Sequence, residues 1–500
     1  MLKRRDVLRG MGGLTLASQL PGCAGMQMEG AMPDLEPQPS PQMEAFIKTF
    51  DSTCHWQKKD PGDKSPFIIT YGWGKKHTEQ ETASGDVIDK SCREILLSRS
   101  GTVHENEPTA DQKNGIAIAM REMERVANVR FVEYTPGVTT NVQVNHPDKP
   151  MLTFESGNFD VVRAGGVSAY PNKDGATIGL STTDICGNMH EGSFARRTIE
   201  HELGHGVGGL KHPSDDSDQN HAILDAKLAN QNFAIMSDYP SNNSSVGGAI
   251  ASRTQDGMVP STFMTLDIAA LQKFLGANWD YNSENKPYIL SGKSKIWTVW
   301  NGRQKGVFDA SAYSGKHSTY INLNSGPVGN PTHIGNEYAW IADRTVIAIA
   351  IGAPYVSNRF VGNIHGGSTF IGGEKGDSYE LAGKGNQVVA GGGKNIFILH
   401  PGAQVTIEGF DCARDTIELA NTREASHVLA RTAQGDTILR LIAPSGRSQV
   451  TLTGFQGEPK NIKLLCTPQG RDILDTTPSK WAKMASLNND PNNPLACHVR

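Results

Sequence analysis

Two histidines four residues apart with a glutamate beside the first, His201-Glu202-Leu203-Gly204-His205, are the residues in this chain best suited to do chemistry. On a helix, residues four apart share a face, so His201 and His205 present two imidazole nitrogens to one divalent ion at about 2.0–2.1 Å. Glu202 then lies beside that ion. A carboxylate there takes a proton from a metal-bound water and returns it to a leaving amine, the general base and acid work of peptide hydrolysis. A third ligand has to come from beyond the helix. Gly208-Gly209 lets the chain turn out of it, and His212 follows at once. Three neutral imidazoles leave the 2+ charge of a zinc ion uncompensated and one coordination position open to water, the pattern of a catalytic rather than a structural site.

The elements that must position these residues are legible on either side. Phe67 to Tyr71 is a β-branched and aromatic run that reads as a buried strand. A helix from about Ala110 to Asn128 follows, with Ile116, Met120, Met123 and Ala127 on one stripe and Thr109 with Gln112 placed as a capping box. Strands are expected at Val129–Tyr134, Met151–Phe154, Gly165–Ala169 and Ala176–Ser181, before a helix that starts near Ser193 and runs into the histidines. Thr265 is placed to cap a further helix, Leu266–Leu275, that stops at Gly276. This order predicts a mixed α/β sheet, with the unit closing near Asn285.

Beyond that point the composition changes. The chain holds 54 glycines, many of them in the C-terminal half, where no amphipathic helix appears. Val361, Phe370, Tyr379, Val388 and Phe397 recur every nine residues, a rhythm that predicts stacked parallel β-turns, each burying its apolar residue against the next. At the other end, residues 1–25 read as an export signal. Lys3-Arg4-Arg5 resembles a twin-arginine sequence, and Leu20-Pro21-Gly22-Cys23 a lipoprotein box that would tether Cys23 to a membrane; the alternative is ordinary signal cleavage nearby, so the expected location is periplasmic, outer-membrane anchored or extracellular. Residues 26–60 are rich in Met, Pro, Glu and Gln without apolar periodicity, and read as a linker or short pro-segment. Lys and Arg number 48 against 52 Asp and Glu, a net charge of −4 without long blocks of one sign, so nothing recommends a nucleic-acid partner. Apart from Cys23, six cysteines remain (54, 92, 186, 412, 466 and 497), which an oxidising compartment allows to pair. Cys54 with Cys92, and two of the last three cysteines together, are the economical pairings. A Cys54 thiolate blocking the metal is the sharper alternative, and Cys186 is placed for a disulfide at the active-site rim.

The segment Thr198 to Pro213 resembles the signature of the metzincins, and specifically of the serralysin family of secreted bacterial metalloproteases. Phe233-Ala234-Ile235-Met236-Ser237-Asp238-Tyr239 resembles that family's Met-turn. The resemblance continues through Thr265–Asn278, Val307–Gly326 and Val405–Leu419, over roughly residues 61 to 470. It implies an α+β metzincin catalytic domain (61–285), built on a mixed twisted sheet with an active-site helix. An all-β parallel β-roll (286–470) and a tail (471–500) follow. It further implies Zn²⁺ on His201, His205 and His212, Glu202 as the catalytic carboxylate, Met236 beneath the metal, and Tyr239 as an oxyanion-stabilising residue or additional ligand. Protein or peptide substrates would be bound in extended form along an edge near Ala176–Ser181.

Two departures stand out. His205 and His212 are separated by one residue more than in the family pattern, as are Met236 and Tyr239, so that ligand geometry rests on slack in the glycine turn. In the β-roll, family repeats read G-G-x-G-x-D-x-U-x, with U a large apolar residue, and place Ca²⁺-binding aspartates where this chain reads Gln387 and Ile396, which implies that most calcium sites are lost and leaves Asp377 as the remaining candidate. These departures motivate an alternative, a catalytically weak or inactive envelope protein of metzincin type serving a binding or structural role.

Overall fold

A computed structural model describes residues 38–56, 63–74, 107–137, 149–157, 166–181, 185, 189–213, 224, 228–237, 259–326, 330–422, 425–431, 435–455 and 462–464. The export signal, Cys23, Cys92, Cys186, Tyr239 and the tail lie outside them. Among the described residues no helix is long and apolar enough to cross a membrane.

The first of the described elements was not anticipated. Helix α1 (Pro41–Ile47) begins with Ser40 accepting from the Met43 amide and Pro41 in its first turn, and a 3-10 turn (Lys48–Phe50) extends it. Met43, Ile47 and Phe50 are fully or nearly fully buried, as are Cys54 and Trp56. Regular structure therefore begins at Pro41, inside the stretch read as a linker or short pro-segment, rather than after it. Its apolar residues at 43, 47 and 50 keep helical spacing and dock on the core.

Strands β1 (Phe67–Trp73), β2 (Val129–Glu133), β3 (Leu152–Gly157), β4 (Gly166–Ser168) and β5 (Ala176–Ser181) form one sheet in the order β2-β1-β3-β5-β4, all parallel except β4. The mixed sheet is as expected, but the edge is not. β5 lies between β3 and β4, so among the described strands the edge nearest the histidines is β4 rather than Ala176–Ser181. The sequence could not separate them, because pairing order depends on which strand returns antiparallel.

Helix α2 (Ala110–Val126) carries the capping box of Thr109 and Gln112, and the Gln112 amide also donates to the Ser181 and Ile185 carbonyls, tying the helix to the end of β5. Helix α3 (Phe194–Gly206) starts at the Ser193 cap, and every residue from Thr198 to Gly206 is buried. Helix α4 (Thr265–Leu275) ends at Gly276, whose φ of +82° suits only glycine. Thr265 is its first helical residue rather than its cap. The capping role falls to Asp267, which accepts from the Met264 amide.

From Tyr288 on, the described chain winds between two nine-stranded sheets. Asn358–Val361, Ser378–Leu381, Ile396–Leu399 and Thr416–Leu419 stack in parallel in one; Val346–Ile351, Thr369–Ile371, Asn386–Val389 and Gln404–Glu408 do so in the other. Phe370, Tyr379, Val388 and Phe397 of the nine-residue rhythm point inward, but its first member does not: Phe360 pairs with Tyr379 and takes the inward place expected of Val361, which pairs with Glu380. The rings of Phe360, Tyr379 and Phe397 stack at centroid distances of 5.1 and 5.2 Å. The molecule is thus mixed α/β with a large C-terminal β region. The regions share a core, since Trp300 and Trp340 pack with the residues around α4.

This register shifts by one the residues that stand at the repeat's polar positions. Val388 and Phe397 are the inward residues, so the positions two before them are Asn386 and Asn395, not Gln387 and Ile396. Asn395 accepts from the Asp377 amide, and Asn386 donates to the Ala382 carbonyl. Asp377 receives the Asn358 amide and side chain (2.7 and 2.8 Å) on one oxygen, and the Gly373 amide (2.6 Å) and Tyr379 hydroxyl (3.3 Å) on the other. Those four donors occupy the roughly four lone-pair positions of a carboxylate.

Candidate metal centre

His201 and His205 project from α3, and His212 reaches them from the bend that follows. The Nε2 atoms make a near-equilateral triangle: 3.0 Å between His201 and His212, 3.1 Å between His205 and His201, 3.2 Å between His205 and His212. The other ring nitrogens decide what those atoms are. His201 Nδ1 lies 2.8 Å from the Ile235 carbonyl and His205 Nδ1 2.5 Å from the Leu210 carbonyl. A carbonyl only accepts, so each Nδ1 carries the proton and each Nε2 of this pair presents a lone pair. Two lone pairs turned on each other 3.1 Å apart repel unless a cation lies among them. At nitrogen–metal distances of about 2.0–2.1 Å, a triangle of this size corresponds to angles of roughly 100° at the ion, close to tetrahedral, with one face left open. The donor set therefore fits zinc, and among the described residues it is the group of three that could hold a metal ion. Burial, then the neighbouring His205, Arg197 and His212, hold the His201 pKa well below the ordinary imidazole value, which keeps the ring in its ligating form.

Glu202 is buried at the same helical level, and β4 lies against it. A Cβ on Gly166 would come within 2.7 Å of Glu202 Cγ, and one on Gly206 within 2.7 Å of Ser168 Oγ. Glycine at these two places lets the edge strand approach α3. Tyr170, just past β4, sets its ring edge-on to His205 at 5.7 Å.

Met236 is fully buried, its sulfur against α3 at Gly204, where an added Cβ would be 2.3 Å away. Its turn is clamped from two sides. Arg197 donates to the Ile235 and Ser237 carbonyls at 2.8 and 3.0 Å. Asp267 accepts from the Ile235, Met236 and Met264 amides at 2.6, 3.3 and 2.9 Å. The Met236 amide and the Ile235 carbonyl belong to one peptide, so Asp267 polarises the group that receives the His201 proton. Burial pushes the Asp267 carboxyl up to about 7, against the pull of these amides. Sequence reasoning missed both residues. Asp267 was visible only as a helix-start carboxylate, and its contact with a turn 32 residues away is not a local signal. Cys54 is disulfide-bonded, which removes the thiolate reading.

With this geometry in hand, comparison with known proteins gives a class. The chain is similar to metalloproteases of the serralysin type, which supports a protease-type enzyme. It is 28% identical to serralysin C of Dickeya chrysanthemi over 49% of this chain and 52% of the relative. Identity is 29% to metalloprotease AprA of Pseudomonas entomophila (43% and 45%) and 25% to serralysin of Photorhabdus laumondii (56% and 60%). The chain spans about half the length of the curated relatives it matches. No protein-family model matches it.

Proposed function

We propose that this protein is an exported zinc endopeptidase that hydrolyses peptide bonds in protein substrates, with His201, His205 and His212 holding the metal. The observation that carries this reading is the convergence of three Nε2 atoms, two of them fixed as lone-pair donors, beside a buried carboxylate. It also weighs against the inactive alternative, which drew on the lengthened spacing before His212. When bound, zinc supplies Lewis acidity to the substrate carbonyl and to water. Glu202 takes the proton from the attacking water and delivers it to the nitrogen of the breaking peptide bond. Its burial against Gly166 keeps that proton from bulk solvent. The outer edge of β4, the last of the described strands on that side, would offer backbone groups to an extended substrate pairing antiparallel to it near α3. Tyr239 follows Met236 by three residues and would steady the developing oxyanion.

Export would use Arg4 and Arg5 in a twin-arginine signal, with Cys23 as the point of membrane attachment. The decisive experiment is Glu202→Ala. Zinc content should stay near one per chain while casein cleavage falls by roughly 10²–10⁴-fold. Unchanged cleavage would reject the mechanism.

A further inference from the structure

The bend that delivers His212 is one residue longer than the pattern it resembles, and an extra residue adds two freely rotating dihedrals to a connection whose end must be placed within about 0.2 Å for a metal. Something has to remove that freedom. From the helix side, the Gly209 amide donates to the His205 carbonyl and the Leu210 amide to the Gly204 carbonyl, both at 3.0 Å. From the other side comes the segment first read as linker. Asp51 and Leu210 form an antiparallel bridge, and the Lys211 amide donates to the Phe50 carbonyl at 2.8 Å. Ser52 donates to the Gly209 carbonyl through both its amide (3.3 Å) and its hydroxyl (2.5 Å). His55 Nδ1 lies 3.2 Å from the Gly208 carbonyl, its Nε2 lies 2.7 Å from Asp51 Oδ1, and its ring stacks on Phe274 of α4 at 4.0 Å. The fit is close. Gly209 has φ of +63°, and a Cβ there would lie 2.1 Å from the Cys54 carbonyl oxygen and 2.5 Å from His55 Nδ1.

We propose that residues 50–55 are a positioning strap for the third metal ligand: Ser52 and His55 fix the Gly208 and Gly209 carbonyls so that the longer bend sets His212 at the metal. The inference rests on the zinc reading given above. The strap holds because Met43, Ile47 and Phe50 anchor its approach in the core and Phe274 holds the His55 ring, while the bend itself has no side chain at 208 or 209 to pack. His55 and Ser52 touch neither metal nor substrate; they act through His212.

The test uses the full chain loaded with zinc, competed against a chromophoric chelator, and in parallel the Co²⁺-substituted protein, whose visible spectrum reports the ligand set. Wild type should bind one zinc per chain. His55→Ala and Ser52→Ala should each weaken zinc binding, by about 10–100-fold for His55→Ala and less for Ser52→Ala, and should alter the cobalt spectrum. His55→Asn, whose amide N–H can replace Nδ1 toward the Gly208 carbonyl, should recover much of the loss. Lys273→Ala breaks the 3.0 Å pair with Glu44 of α1 without touching the bend and should change neither readout. If metal-free His55→Ala fails to fold, Ser52→Ala decides. Wild-type affinity and spectrum in the strap variants would overturn the strap while leaving the zinc reading intact. Equal weakening in Lys273→Ala, or no recovery in His55→Asn, would also overturn it by showing general destabilisation. Wild type without zinc would instead sink the zinc reading itself, and the strap with it.

Discussion

The histidine region and the C-terminal coil solve opposite problems with the same hydrogen bonds. Around the metal centre, partners come from far along the chain: Ser52 to Gly209 spans 157 residues, His201 to Ile235 spans 34, and Asp267 to Ile235 spans 32. In the coil a polar ladder reaches one turn at a time, 19 residues from Asn358 to Asp377, 18 from Asp377 to Asn395 and 20 from Asn395 to Asp415. A site assembled from distant pieces takes shape only when the whole domain has closed, and one faulty piece is felt at the metal. A stacked coil makes its contacts turn by turn, so damage should stay local.

That contrast can be broken at graded points. The largest effect is expected from Gly209→Ala, which forces a side chain onto the Cys54 carbonyl at positive φ. It should cost about 3 kcal/mol or more in chemical unfolding and abolish stoichiometric zinc; a fully loaded, equally stable variant would show that the bend is not confined. Asp267→Asn comes next, with zinc binding weakened about 10–100-fold although residue 267 touches none of the histidines. It also has a pH signature. Burial raises the Asp267 pKa from 3.8 to about 7, so the folded state holds this proton more tightly than the unfolded chain. Its contribution to stability is fully present below about pH 4 and lost as pH rises through about 7. Melting of the metal-free protein should therefore show wild type losing ground to Asp267→Asn across that window, and a constant difference would reject the assignment.

Asp377→Asn should act only within the coil. It turns an amide donor toward the Gly373 or Asn358 amide and should destabilise by about 1–3 kcal/mol, with zinc content and peptidase activity unchanged. The smallest effect is reserved for calcium. Because protein donors fill the Asp377 lone pairs, removing Ca²⁺ with EGTA should shift the melting temperature of the coil by less than about 2 °C, whereas a drop of tens of degrees would mean that sites exist elsewhere.

How far the sequence could be read follows the same division. Helix α2 was placed from its capping box to within two residues at its end, and the histidine spacing and nine-residue rhythm were plain, because each is a local pattern that one stretch of chain carries alone. The strap was partly visible: Ser40 before Pro41, then Met43, Ile47 and Phe50 at helical spacing, is a capped amphipathic turn hidden in polar, Pro-rich surroundings. Its contact with Gly208 and Gly209 was not visible, nor was the Asp267 clamp or the choice of β4 over β5 as the edge, since each joins segments whose meeting is settled by tertiary packing. The repeat positions at 387 and 396 were off by one for a subtler reason. A repeat seen as letters leaves open which of two adjacent residues faces in, and slipping by one exchanges every inward residue for its outward neighbour.

Alternate assignment of successive strands to two sheets also shapes how this protein can change over generations. Each rung meets only the rung above and below, so a duplication or deletion of about eighteen residues, one full circuit, would splice a storey in or out and reseal the seam. Height is therefore free to drift in this half of the molecule, whereas the half that carries the histidines has no such unit to add or remove.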